Sequence, residues 1–346
     1  MRAAVLRDAG ADLDLCTMPD PDCPKDGVVL KVLAAGVCRS DHHLWSGADP
    51  GPKPIIPGHE FCGEVVAVGP RVSRWRVGQG AIAPFILACG RCPSCAAGHQ
   101  TICPDQIIPG ITTHGAWAEY VSVPRADQNL ATLPPDMDTA LAAGLGCRVT
   151  TAWHALTERA GLRPGEWVAI FGTGGVGLAA LLLARAIGAR VIAVDVVEQK
   201  LALARQLGAD ATVDATASDA SDAVRDISGG GVHVAIEALG RPETVTGAVR
   251  ALAPLGRMVL VGKPTGEHRQ MTLPMDRLYA GQLSLHGTRG MPAWRYPSLL
   301  SLIESGQVDL APLIGRRIAL SDVTGELRAM NGPTPPGVAV VTDFHG

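Results

Sequence analysis

Four closely spaced cysteines form the densest group of metal-binding side chains in the sequence. The stretch CGRCPSCAAGHQTIC places Cys89, Cys92, Cys95 and Cys103 in the spacing C-x2-C-x2-C-x7-C. Four thiolates at this spacing can enclose one tetrahedral zinc ion and leave no position for a substrate. The alternatives are reduced, idle cysteines or an iron–sulfur cluster, and the seven-residue gap before the fourth cysteine weakens the cluster hypothesis. We predict a structural zinc site.

A second set of polar side chains is spread over three segments. The run CRSDHH begins at Cys38, PIIPGHEFCGEVVAVG contains His59 and Glu60, and AAGLGCRVTTAWHAL contains Cys147. Each has an ordinary explanation when taken alone, because a lone cysteine is most often a small buried hydrophobe and a histidine beside a glycine is usually a turn residue. The residue types therefore leave open whether the three segments form one site.

A glycine-rich turn lies in the stretch VAIFGTGGVGLAALLLARAIGARVIAVD. Its glycines fit G-x-G-x-x-G after a strand-like run, a helical pattern follows, and an aspartate stands 18 residues after the third glycine. This context is typical of a dinucleotide site, because the N–H groups at the helix N-terminus bind a pyrophosphate. A structural turn with a surface aspartate is the alternative.

The aspartate indicates which dinucleotide is bound. Asp195 can accept hydrogen bonds from both ribose hydroxyls, would repel a 2′-phosphate and is not followed by arginine, which favours NAD over NADP. Lys200, one turn into the next helix, can also reach the ribose. The predicted cofactor-binding residues of this segment are Gly172, Gly174, Gly175, Val176, Gly177, Asp195 and Lys200.

Two kinds of sequence must position these sites. Up to about residue 148, short strand-like runs such as DGVVLKVLAAGVC are broken by glycine and proline, which indicates a β-rich domain. From EWVAIFG onward, strand-like and helical patterns alternate, which predicts βαβ units and a parallel sheet. After about residue 285 the alternation stops, and we expect the tail to complete the first domain.

Composition limits the classes of function. The 346 residues suffice for two domains, and 47% hydrophobic with 18% charged residues excludes a disordered chain. A net charge of -3 argues against nucleic acid or anionic membranes as partners. The N-terminal residues lack the pattern of a signal peptide, and no uninterrupted apolar run reaches the length of a membrane span. We expect a cytoplasmic protein, in which clustered cysteines indicate metal rather than disulfides.

Five features, taken together and in chain order, resemble the zinc-dependent medium-chain alcohol dehydrogenases over nearly the whole chain: CRSDHH, GHEFCGEVVAVG, the four-cysteine segment, GLGCRVTT, and GTGGVG with its aspartate. The resemblance implies an α/β protein. Its GroES-like, β-rich catalytic domain would span 1–148 and 286–346, and a doubly wound Rossmann domain with a parallel sheet would span 149–285. It also implies two zinc ions, one catalytic and one structural.

The resemblance assigns roles to individual residues. Cys38, His59 and Cys147 would hold the catalytic zinc. Glu60 would stand behind the ion and ligate it transiently during ligand exchange, and Asp41 would orient the histidine. Ser40 and His43 would pass the alcohol's proton to solvent. Arg39 would contact the pyrophosphate and Thr151 the nicotinamide. Phe85 and Trp117 would line the substrate pocket, although both aromatics could equally belong to the core.

The implied function is reversible hydride transfer between NAD and a primary or secondary alcohol, apolar or aromatic, giving an aldehyde or ketone. A polyol or threonine-type amino-alcohol dehydrogenase is the enzymatic alternative, and a crystallin-like nucleotide-binding structural protein is the non-enzymatic one. We expect a homotetramer, with a dimer as the second choice. Arg148, Lys263, Val338 and the loop from Arg289 to Pro297 depart from the family pattern, and the sequence does not assign them a role.

Overall fold

The computed structural model describes residues 1–332 and 334–346, which form two compact units. Unit 1 comprises Met1–Thr150, Gly290–Ser301 and Ile314–Gly346, and unit 2 comprises Thr151–Arg289 and Leu302–Leu313. The predicted boundaries place 302–313 in the first domain. The structure assigns this segment to unit 2 instead, because its turn Ala311–Leu313 packs on the helix Gly175–Ile187.

Fifteen strands are defined within these residues. In chain order they are β1 (Arg2–Val5), β2 (Asp14–Thr17), β3 (Val28–Gly36), β4 (Phe61–Val68), β5 (Gly80–Ala83), β6 (Tyr120–Val123), β7 (Ala131–Thr132), β8 (Trp167–Phe171), β9 (Arg190–Asp195), β10 (Ala211–Asp214), β11 (Val232–Glu237), β12 (Leu252–Leu260), β13 (Ser284–Gly287), β14 (Ile314–Ala319) and β15 (Val338–Asp343).

Twelve α-helices connect the strands in the described part of the chain. They are α1 (Arg39–Trp45), α2 (Pro93–Ala96), α3 (Ala126–Asn129), α4 (Thr139–Gly144), α5 (Arg148–His154), α6 (Gly175–Ile187), α7 (Glu198–Gln206), α8 (Ala220–Ser228), α9 (Pro242–Ala251), α10 (Met275–Ala280), α11 (Tyr296–Glu304) and α12 (Val323–Ala329). Among them, none combines the length and apolar character needed to cross a bilayer.

Unit 1 is organised around a seven-stranded sheet. Its order is β14-β15-β3-β4-β5-β7, with β6 also pairing with β3, and every pair except β14–β15 is antiparallel. Alternating side chains of β3, β4 and β5 enter a core that contains Leu30, Phe61 and Trp117, each fully buried. Because β3 is long and central, the segment that follows it starts from a rigid position.

Unit 2 contains a six-stranded, wholly parallel sheet in the order β10-β9-β8-β11-β12-β13. The predicted doubly wound parallel sheet is confirmed. All five residues of β8 are buried, as expected for a strand covered on both faces. The chain reverses direction across the sheet between β8 and β11, and in such folds a ligand binds beyond the carboxyl ends of the strands at this point.

Candidate active site

Strand pairing brings the segments of the second polar set together. The Gly36 N–H donates to the carbonyl of Glu60 at 2.8 Å across the β3–β4 pair. Cys38, two residues after β3, therefore lies beside His59, which precedes Glu60. The turn before α5 adds Cys147, and donor atoms of Cys38, His59, Glu60 and Cys147 all lie within 4.8 Å of one another. Sequence reasoning had placed these four residues in one site only by resemblance.

Asp41 fixes the orientation of the His59 ring. Its Oδ1 lies 2.7 Å from Nδ1 of His59, and its Oδ2 accepts the Cys38 N–H at 2.9 Å; Asp41 and His59 are fully buried. Burial would lower the pKa of His59, but the Asp41 carboxylate outweighs this and raises it well above the usual value. With Nδ1 engaged, Nε2 has no hydrogen-bond partner within 1–332 and 334–346.

A hydrogen bond between the two thiols of the site shifts their pKa values in opposite directions. The hydrogen bond from Cys147 lowers the pKa of Cys38 well below the usual value, against the effect of burial and with the help of His59. The same hydrogen bond raises the pKa of Cys147. The sulfur of buried Cys147, that of half-buried Cys38 and one orphaned, buried imidazole nitrogen match the three-residue donor set of a catalytic zinc site, which leaves a fourth coordination position open. The residues present therefore fit the metal that the sequence implies.

Arg148, which the sequence left without a role, is the partner of Glu60. Its backbone N–H and its Nε donate to Oε1 at 3.1 and 3.0 Å, its Nη2 donates to Oε2, and the same nitrogen donates to the carbonyl of Val37 at 3.1 Å. Both side chains are buried. Burial would lower the pKa of Arg148, but the Glu60 carboxylate outweighs it, so the guanidinium stays charged. The pair is not visible in the sequence because its partners are 88 positions apart.

The surroundings of the donor set are apolar. Phe85, Ile86 and Ile108 form a buried cluster with Cys147, and Ile111 packs against it. The Phe85 ring meets the His59 ring edge-on at 5.7 Å. Trp117 lies elsewhere: it has no exposed surface, belongs to the main core and donates its Nε1–H to the Gly36 carbonyl at 3.3 Å. The prediction that Trp117 lines the pocket is therefore wrong, because a side chain enclosed on all sides has no surface for a substrate.

The remaining predicted residues of this region lie on α1 and α5. Ser40 and His43 are half-buried and three residues apart on α1, so they share one helix face directly after Cys38. Arg39 donates to the Met330 carbonyl at 2.5 Å, and Thr151 is buried in α5.

The four-cysteine cluster closes as its spacing predicts. Sγ of Cys92 lies 3.4 Å from Sγ of Cys95 and 3.9 Å from that of Cys103, and all four sulfurs lie within 4.8 Å of one another. Hydrogen bonds from backbone N–H groups, chiefly that of Arg91, lower the pKa of Cys89 to about 6. Burial raises the pKa of Cys95 and Cys103 in the absence of a metal ion. This compact thiol set, in which N–H groups stabilise the Cys89 thiolate, fits a tetrahedral metal ion without an open position.

The glycine-rich turn in unit 2 joins β8 to α6. A Cβ on Gly177 would lie 1.9 Å from the Gly172 carbonyl oxygen, so only glycine lets the helix approach the turn, and Gly172 has a φ of +95°. Gly174 is the N-cap of α6, and Gly175 and Val176 form its first turn. Their N–H groups thus point toward the carboxyl end of β8, where a pyrophosphate would bind.

Asp195 ends β9 and also holds the turn in place. Its Oδ2 accepts the N–H and the hydroxyl of Thr173 at 2.7 and 2.8 Å, and its Oδ1 accepts the N–H groups of Val196 and Val197 at 2.8 and 3.1 Å. Lys200 is half-buried in α7. The residues that the sequence assigned to the dinucleotide site thus cluster around two neighbouring strand ends.

One acid at this edge of the sheet escaped sequence analysis. Glu237 ends β11, is fully buried, and accepts the N–H groups of Leu239 and Gly240 and the hydroxyl of Thr244 at 2.6 to 3.0 Å. It thereby fixes the loop after β11 at the point where the chain reverses. The available signal was an acid at the end of the apolar run VAIE, three residues before a glycine.

A dinucleotide fold in one unit and a sulfur–nitrogen–sulfur donor set in the other define the class of zinc-binding, NAD(P)-dependent dehydrogenases. Comparison with known families agrees. Residues 24–135 match the alcohol dehydrogenase GroES-like domain, and residues 175–305 match the zinc-binding dehydrogenase domain.

Curated relatives carry more than one substrate name. An alcohol dehydrogenase of Geobacillus stearothermophilus is 38% identical over 270 residues, which cover 77% of this chain and 78% of the relative. An L-threonine 3-dehydrogenase of Symbiobacterium thermophilum is 33% identical and covers 99% of this chain and 98% of its own. The chain belongs to the zinc-dependent medium-chain alcohol dehydrogenase family and is an enzyme.

Solved structures resemble the whole chain. An NAD-dependent alcohol dehydrogenase has a TM-score of 0.89 at 32% identity, covering 99% of both chains. The benzyl alcohol dehydrogenase of Acinetobacter calcoaceticus has a TM-score of 0.91 at 28% identity, also covering 99% of both. A zinc-binding dehydrogenase of Sinorhizobium meliloti 1021 bound to NADP has a TM-score of 0.87 at 30% identity and 98% coverage of both.

Proposed function

We propose that this enzyme oxidises apolar primary or secondary alcohols, aromatic ones included, to aldehydes or ketones with NAD, and that it holds one catalytic and one structural zinc ion. The observation that carries the substrate class is the lining of the donor set, where Phe85, Ile86, Ile108 and Ile111 surround the thiols. An apolar wall favours a hydrocarbon substituent over hydroxyl or charged groups, because burying a polar group without a partner is costly.

The chain's own residues supply orientation and a route for the proton. When bound, the metal ion supplies Lewis-acid stabilisation of negative charge on the substrate oxygen, and the dinucleotide accepts the hydride. Asp41 holds His59 with Nε2 toward the two thiols. Ser40 Oγ then accepts the alcohol proton while passing its own toward the His43 imidazole on the same face of α1. The apolar cluster excludes water from the reacting carbon.

A substrate panel tests the proposal. Benzyl alcohol, 1-butanol, sorbitol and L-threonine are each supplied with NAD, and kcat/KM is compared. We expect benzyl alcohol and 1-butanol to exceed sorbitol and threonine by roughly tenfold or more, since one or two unpaired buried polar groups cost at least about 1.4 kcal/mol. The amino-alcohol alternative is favoured by the threonine dehydrogenase relative. A preference for L-threonine would establish that alternative and refute ours.

Coenzyme choice is tested at Asp195. Its carboxylate would repel a 2′-phosphate, so Asp195→Ser should shift the ratio of kcat/KM for NAD to that for NADP toward NADP by roughly tenfold or more. The matched control is Asp214→Asn at the end of the neighbouring strand β10, where the carboxylate accepts only from its own turn residue Thr216 among the described side chains and backbone groups. The control should leave the ratio unchanged, and an equal shift in both variants would contradict the assignment.

A further inference from the structure

The donor set contains one ligand more than a catalytic site can use. Cys38, His59, Glu60 and Cys147 all lie within 4.8 Å of one another, so Glu60 is close enough to complete a four-residue shell. A zinc ion with four protein ligands has no position for a substrate, as in the four-cysteine cluster. Something must keep the Glu60 carboxylate away from the ion if the alcohol is to bind.

Arg148 occupies both oxygens of that carboxylate. Three hydrogen bonds connect the two residues, two to Oε1 and one to Oε2, and the pair is buried at 3% and 0% exposure. The fourth bond, from Nη2 to the Val37 carbonyl, ties the same guanidinium to the loop that carries Cys38. Moving Glu60 to the metal would therefore break a buried, charge-assisted pair and leave Arg148 without its counter-ion.

The backbone makes room for this arrangement. A Cβ on Gly36 would lie 2.3 Å from Glu60 Oε2 and 3.2 Å from Arg148 Nη2, so a side chain at position 36 would push the carboxylate out of the pair. Charge points the same way: two thiolates and the carboxylates of Glu60 and Asp41 carry four negative charges, against three positive charges on a divalent ion and one guanidinium. Without Arg148 the buried Glu60 carboxylate would have only the metal ion as a counter-charge.

We propose that Arg148 is a positioning residue that holds Glu60 off the metal ion and thereby keeps the fourth coordination position open. This inference rests on the proposed function, because it takes Cys38, His59 and Cys147 to be the ligands of the catalytic ion. It goes beyond that function by giving Arg148 a defined role in preserving the open site. This role predicts that replacing Arg148 weakens ligand binding at the metal only while the Glu60 carboxylate is present.

The experiment uses the cobalt-substituted protein and imidazole, which binds an open coordination position and changes the visible absorption of Co²⁺. The four-cysteine site does not respond, since it has no such position. Affinity for imidazole is measured in the wild type, Arg148→Met and the double variant Arg148→Met/Glu60→Gln. We expect Arg148→Met to weaken binding by about tenfold or more, because a competing internal ligand reduces the binding-competent fraction. The double variant should bind within about threefold of the wild type.

Two results would overturn the proposal: unchanged binding in Arg148→Met, or weakened binding that the second substitution does not restore. If Arg148→Met does not fold, Gly36→Ala replaces it, because a Cβ at this position would displace the Glu60 carboxylate from Arg148. Gly36→Ala should weaken imidazole binding and Gly36→Ala/Glu60→Gln should restore it, whereas unchanged binding in Gly36→Ala would overturn the proposal. If no protein responds to imidazole, there is no open metal site, and the proposed function itself fails.

Discussion

Replacing Asp41 by asparagine tests how the residues of the metal site are held in place, at the fully buried contact between Asp41 and His59. The carboxylate accepts two hydrogen bonds, from His59 Nδ1 at 2.7 Å and from the Cys38 N–H at 2.9 Å. Asparagine keeps the shape but has one acceptor oxygen, so its NH2 group must face one of the two donors. One charge-assisted bond is lost and one buried donor is left without a partner.

The magnitude follows from these losses. Removing a charged partner and stranding a buried N–H lowers the free energy of unfolding by roughly 2–4 kcal/mol. Since Asp41 orients the ring that would bind the ion, zinc affinity at that site should fall roughly 10- to 100-fold. Urea unfolding and zinc competition with a chromogenic chelator measure the two effects.

Asp14→Asn is the matched control. The Asp14 carboxylate accepts from Arg7 at the same 2.7 Å, but both side chains are exposed by about half, at 45% and 53%. An exposed pair contributes little to stability, so this variant should keep nearly all its stability and its full zinc affinity. The reasoning is refuted if Asp41→Asn binds zinc within about threefold of the wild type.

Two further substitutions test other parts of the molecule. Cys103→Ser should reduce the bound zinc, measured by elemental analysis, from two equivalents per chain to one. The control Cys62→Ser, at a buried cysteine outside both clusters, should retain two equivalents. Two equivalents of zinc in Cys103→Ser would exclude the structural site. In unit 2, burial would raise the pKa of Glu166, but its hydrogen bonds to Arg257 outweigh burial and lower it below the usual 4.5. The pair's contribution is therefore present above pH 4.5 and lost as the pH falls through the folded-state value. Arg257→Gln should lower the free energy of unfolding by roughly 1–3 kcal/mol at neutral pH and flatten its acid decline in urea titrations; an unchanged pH profile would contradict this.

The sequence predicts those features whose cause is local. The glycine-rich turn, its flanking strands and Asp195 lie within one short segment. The motif itself shows why each position needs its residue type. The four-cysteine cluster is equally compact. Both were predicted from spacing alone, and the parallel sheet that carries the turn is confirmed.

Features that depend on distant pairing escaped prediction. Glu60 and Arg148 meet only because β3, β4 and the turn before α5 converge, so Arg148 had no visible role in the sequence. Trp117 was assigned to the pocket by resemblance, but tertiary packing places it in the core beneath the Gly36 carbonyl. The apolar lining around the thiols likewise joins Phe85 to Ile108, which only the folded chain brings into one cluster.

The most direct test of the central claim is a crystal structure of the zinc-loaded enzyme with anomalous data at the zinc edge. We predict two anomalous peaks per chain, one enclosed by the four-cysteine cluster and one in contact with Cys38, His59 and Cys147, with solvent rather than a protein side chain in its fourth position. A single peak, confined to the four-cysteine cluster, would contradict the account.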